Sequence, residues 1–114
     1  MSARSDRLTV VAVQDAEQLV QQRVDKLMAL SWQEALRLPE SAEERVSIAG
    51  NACALTTYRQ TGVLPNPNAV LVTVQLARPR CFGVLGDVLE KGLVFEAGIP
   101  TRPATAGELL DSEE

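Results

Sequence analysis

An α+β fold is what the sequence predicts: an antiparallel β-meander over about residues 45–97, packed on one face against one long and one short N-terminal helix. Three observations carry this. Apolar residues recur at helical spacing through Asp15–Leu30. They alternate with period two through Ala69–Ala77. Two further alternating runs flank Gly50-Asn51.

Taken in order, residues 1–7 form a polar start expected to fray. Leu8–Val13 (LTVVAV) is compact and β-branched and reads as a short strand, with an apolar lead-in to the next helix as its alternative. Asp15–Leu30 is the clearest helix. Asp15 stands three residues before Gln18, as in a capping box, and Ala16, Leu19, Val20, Val24, Leu27 and Met28 make one apolar stripe. A second, short helix follows over Ser31–Leu38. Ser31 and Glu34 supply another capping box, Trp32 serves as a structural anchor, and Pro39 ends the helix because the residue before a proline avoids helical angles.

The stretch RVSIAGNACALTTYRQ, residues 45–60, admits two readings. Ser41 and Glu44 form a third capping box, so a helix over Ala42–Gln60 is the alternative. Glycine inside a helix costs about 1 kcal/mol relative to alanine, and Thr56, Thr57 and Tyr58 suit a pleated strand. As a hairpin turning at Gly50-Asn51, Ala49 faces Ala52, Ile48 faces Cys53 and Val46 faces Leu55. Val46, Ile48, Cys53 and Leu55 then share one face, and small or polar residues share the other.

GVLPNPN is a loop, and AVLVTVQLA after it is the strongest strand, with Val70, Val72, Val74 and Leu76 on one side. Arg78-Pro79-Arg80 breaks the run, and Gly83 and Gly86 mark bulges or close backbone approach in the strand material that follows. Glu90-Lys91-Gly92 reads as a turn before a short strand LVFEA, with a helix over Asp87–Lys91 as the alternative. Residues from Gly98 on read as loop, then one helical turn around Gly107–Leu110, with residues 111–114 frayed. The expected inner set is Val20, Val24, Leu27, Trp32, Leu36, Val46, Ile48, Leu55, Val70, Val72, Val74 and Leu76. A single domain over 1–114 accommodates all of this.

Composition narrows the chemistry. The net charge of −4 disfavours nucleic acid. No run is long enough for a membrane span and none makes an adequate signal peptide, so the expected setting is cytoplasmic, with no membrane partner. Histidine is absent, which excludes Cys–His and Ser–His nucleophile systems within this chain and His-based metal sites. Cys53 and Cys81 read as buried thiols rather than a disulfide. No phosphate-binding glycine loop is present. The expectation is therefore a protein without catalytic activity and without a cofactor.

Two surfaces are candidates for binding. The second sheet face, with Ala49, Ala52, Ala54, Tyr58, Leu71, Thr73 and Gln75, carries almost no charge, which suits a covering partner, a second copy or a tail of the same chain. Arg78, Arg80 and Arg102 lie in loops and would make a small anion site if those loops meet. The leading functional expectation is an accessory or protein-interaction module, self-association included. A small-molecule or anion-binding domain is the first alternative and a carboxylate-dependent enzyme the second.

Overall fold

The structure, a computed structural model, describes residues 2–48, 50–77 and 88–112, with side chains described over 14–48, 50, 52–77 and 89–109. Helix α1 spans Ser2–Met28 and helix α2 Trp32–Leu36. Five strands follow, β1 Ser41–Ile48, β2 Asn51–Thr61, β3 Val70–Ala77, β4 Val88–Glu96 and β5 Ile99–Pro103. Helix α3, Ala106–Ser112, comes last. Each strand pairs antiparallel with its sequence neighbour, so the sheet order is β1-β2-β3-β4-β5. The α+β meander is as the sequence predicts, with limits of 41–103 in place of 45–97.

Leu8–Val13, expected as a strand, is helical and continuous with the periodic segment after it. Once a helix is nucleated, each added residue gains a backbone bond, and a few valines cost only tenths of a kcal/mol apiece, up to about 0.7. Asp15 therefore lies inside α1 rather than at its start. The helix closes on tight bonds from Ala29 N–H to Lys26 O, 3.3 Å, and from Leu30 N–H to Leu27 O, 3.0 Å. The predicted capping box of α2 is present: Glu34 N–H donates to Ser31 Oγ at 3.1 Å and Ser31 N–H to Glu34 Oε1 at 3.0 Å. Trp32 Nε1 donates to Asn68 O at 2.8 Å, anchoring α2 on the β2–β3 connection.

Ala42–Gln60 is a hairpin, not a helix, and Ser41 and Glu44 are strand residues. Its register differs from the expected one. Ile48 faces Asn51, Ser47 faces Ala52 and Val46 faces Cys53. Gly50 has φ 80° and takes the second loop position, where a positive φ is demanded, rather than the first. The shift is by two residues, so the faces survive: Val46, Ile48, Cys53 and Leu55 still lie together. The same device recurs where Glu96 faces Ile99 across Ala97-Gly98, with Gly98 at φ 74°. That second turn makes residues 99–103 a strand where a loop was expected.

Glu90-Lys91-Gly92 is mid-strand rather than a turn, and no helix spans Val88–Lys91. Each residue has a strand-specific job. Glu90 faces Gln75 and accepts a bond from its Nε2 at 3.1 Å. Lys91 lies on the helix side and donates to Gln21 Oε1 of α1 at 2.6 Å. Gly92 leaves room for α3, as described below. The expected glycine irregularities at Gly83 and Gly86 lie outside the described residues, as do Cys81 and residues 113–114.

The main core lies between the inner sheet face and α1 with α2. Nine of the expected inner set are buried in it, Trp32, Leu36 and Val46 pack partly buried against it, and Ala35, Cys53, Leu93 and Phe95 join it as buried members. At the rim, Arg23 of α1 pairs with Glu44 of β1.

Candidate functional site

The outer face of the sheet is divided. At one end, Leu71 and Val94 are buried with Leu64 and Ala69 under Val63, Ala104 and Leu109. Leu109 belongs to α3, so the C-terminal segment of the chain itself covers this part. The approach is close. A Cβ built on Gly92 would stand 2.7 Å from Leu109 Cδ2 and 3.0 Å from Ala104 Cβ. Thr105 caps α3, accepting from Glu108 N–H at 3.2 Å while its own N–H donates to Glu108 Oε1 at 2.8 Å.

Arg102 grips the same carboxylate with a two-pronged contact, Nη1 to Oε1 at 2.9 Å and Nη2 to Oε2 at 2.7 Å. The Arg102 bond, helped by the Thr105 backbone, lowers the Glu108 pKa to about 2. Of the three arginines considered for an anion site, Arg102 thus holds a carboxylate of its own chain. Arg78 and Arg80 lie outside the described residues.

Among the described residues, the other end of the outer face is open. Ser41, Tyr58, Thr73 and Gly92 face one another in a row across β1 to β4, and Thr56, Gln75 and Glu90 make the next row. Over these rows lies an open depression of about 470 Å³, lined by Ser41, Tyr58, Gln60, Thr73, Gln75 and Glu90, with Glu40 and Arg59 at its border. Arg59 is fixed there by its Nε bond to Leu38 O, 2.6 Å. Thr73 forms part of the floor. It is 4% exposed, and its hydroxyl has no hydrogen-bond partner among the described residues.

The expected interaction residues are therefore separated. Tyr58, Thr73 and Gln75 meet in the depression, Leu71 is sealed beneath α3, Ala52 is exposed and Ala54 half-buried outside it, and Ala49 lies outside the described residues. Ser41, Gln60 and Glu90 are lining residues that sequence reasoning missed, Ser41 because it began β1 at Arg45 and Glu90 because it read that residue as a turn. The near absence of charge holds for the β2 and β3 parts of this face. Glu43 and Arg45 of β1 and Glu90 of β4 lie on the same side and frame it.

Among the described residues no group of acidic, Cys or His side chains is placed to hold a metal ion, and no helix is long and apolar enough to cross a membrane. No protein-family model, curated protein or solved structure matches this chain.

Proposed function

We infer that this protein is a non-catalytic binding module that holds a small, hydroxyl- or amide-bearing molecule in the depression on the outer sheet face. The observation that carries this reading is the Thr73 hydroxyl, buried and without a partner in the floor of a polar hollow. An unsatisfied buried hydroxyl costs about 1–3 kcal/mol, and a ligand group bonding to it would offset that cost. Tyr58 offers a ring flank, and Ser41, Gln60 and Gln75 offer neutral donors and acceptors around it. Thr57 supplies the contrast. Its hydroxyl also lacks a partner, but it sits on the helix side of the sheet and is not among the residues that line this depression. An orphan hydroxyl alone does not indicate a ligand; an orphan hydroxyl in a polar depression does. The net charge of −4 speaks against nucleic acid as the occupant.

The test is a thermal-shift panel of polyols, sugars, amides and nucleosides, repeated on Thr73→Val and Thr57→Val. Both variants remove an unsatisfied hydroxyl and should be as stable as the parent, or more stable by up to about 2 kcal/mol. Only Thr73→Val should lose the ligand-induced shift. A panel without any shift, or a shift that Thr73→Val leaves intact, overturns the reading.

A further inference from the structure

The two edges of the sheet are built differently. The β5 edge is five residues long, carries Pro100 and Pro103, and shifts register between Val94 and Glu96. Short length, proline, irregular pairing and charged side chains are means by which proteins keep an edge from pairing with another strand. The β1 edge has none of the first three, and its charges, Glu43, Glu44 and Arg45, are of both signs. It runs for eight residues with no proline and pairs with β2 without a register shift. Arg59 N–H donates to Glu40 O at 3.0 Å, so Glu40 turns its backbone groups toward β2. Antiparallel alternation then turns those of Ala42, Glu44 and Val46 the same way, and those of Ser41, Glu43, Arg45 and Ser47 toward the free edge.

We propose that β1 pairs with β1 of a second copy of this chain, antiparallel, about a two-fold axis at Glu44, so that the two sheets become one. Matching of opposite charges on the outer face points to this register. A two-fold axis perpendicular to the sheet keeps outer face beside outer face, so residues of like parity meet. With the axis at Glu44, Glu43 faces Arg45 of the second copy and Ser41 faces Ser47 of the second copy, each pair occurring twice. Moving the axis one residue sets Glu43 against Glu43 or Arg45 against Arg45, and like charges directly opposite are destabilising. On the inner face Ala42 meets Val46 of the second copy. The two Glu44 carboxylates face each other at the axis, a like-charge pair on the inner face that Arg23 of each chain offsets by its own contact with Glu44. Of the pairing residues only Ser41 also lines the ligand depression; Glu43 and Arg45, which set the register and carry the test, do not, so the pairing is tested independently of that site.

Sedimentation and light scattering of the full chain over a concentration series test the proposal. The unaltered protein should dimerise. Glu43→Arg and Arg45→Glu should each weaken the dimer by about tenfold or more, since each creates two like-charge pairs. The double variant E43R/R45E should restore the parent affinity. Glu43→Pro removes an edge-facing N–H while leaving the β2 pairing intact, and should give a folded monomer by circular dichroism. A parent chain that stays monomeric at high concentration overturns the proposal, including one that takes up an extended peptide on β1 instead. A double variant no tighter than the single ones overturns it as well, as does a dimer that survives Glu43→Pro.

Discussion

At the scale of single residues, the two threonine hydroxyls and the Arg102–Glu108 pair show how one sheet treats polar groups differently on each side. Thr57, 8% exposed, lies on the helix side, where β-branched shape suits the strand and the hydroxyl adds nothing to packing. Thr73 has the same shape on the side where a hollow begins. Glu108 illustrates a pH consequence. Its pKa falls from 4.5 to about 2, so the folded state binds its proton less readily than the unfolded state does. Stability from this group is fully present above about pH 4.5 and is lost as the pH falls toward about 2. Urea unfolding of the parent and Glu108→Gln should show a stability difference at neutral pH that shrinks on acidification through that window. The difference should be modest, because Arg102 is 44% exposed and water screens the pair. A difference that stays constant from neutral to acid pH would contradict this account.

At the scale of elements, close packing explains a glycine that sequence patterns misread. Gly92 after Glu90-Lys91 has the composition of a turn, yet it is mid-strand because Leu109 and Ala104 occupy the space a side chain would fill. Gly92→Ala should displace Leu109 and destabilise the protein by about 1–3 kcal/mol, as overpacking does. Leu109→Ala in that background should cost less than it does alone, because the two changes share one contact, and a double-mutant cycle measures the coupling. Additive costs would show that α3 does not rest on Gly92. What was legible in the sequence follows the same division. The Val20–Val24–Leu27 stripe, the Ser31–Glu34 box and the alternation through Val70–Leu76 are local patterns that their own elements satisfy. The Gly50 loop register, β5 and Gly92 depend on partners distant in sequence or on a backbone angle, and no local periodicity encodes them. The candidate site was half legible for the same reason. Tyr58, Thr73 and Gln75 lie on the two strands whose alternation is plain, whereas Ser41 and Glu90 entered only when β1 and β4 proved longer.

At the scale of the whole molecule, the sheet has sequential order, and α1 packs over β3 and β4 and reaches β1. Every strand pairing is therefore between chain neighbours, while the helix contacts are the long-range ones. This arrangement sets a timetable for synthesis. The helix leaves the ribosome before the sheet, with Val20, Val24 and Leu27 ready for a core that does not yet exist, and β4, a large part of its seat, is complete only at Glu96. Until then the helix has only the β1 and β3 part of the surface on which to bury that stripe, and sheet pairing can advance hairpin by hairpin without it. A chain ending at residue 87 should bind a hydrophobic dye and unfold without cooperativity, whereas the full chain should do neither. A truncated chain that unfolds as sharply as the full one would show that α1 finds its place before β4 is made. A helix made before the sheet is thus among the last elements to be seated, and the interval between the two is when its apolar face is open to other chains.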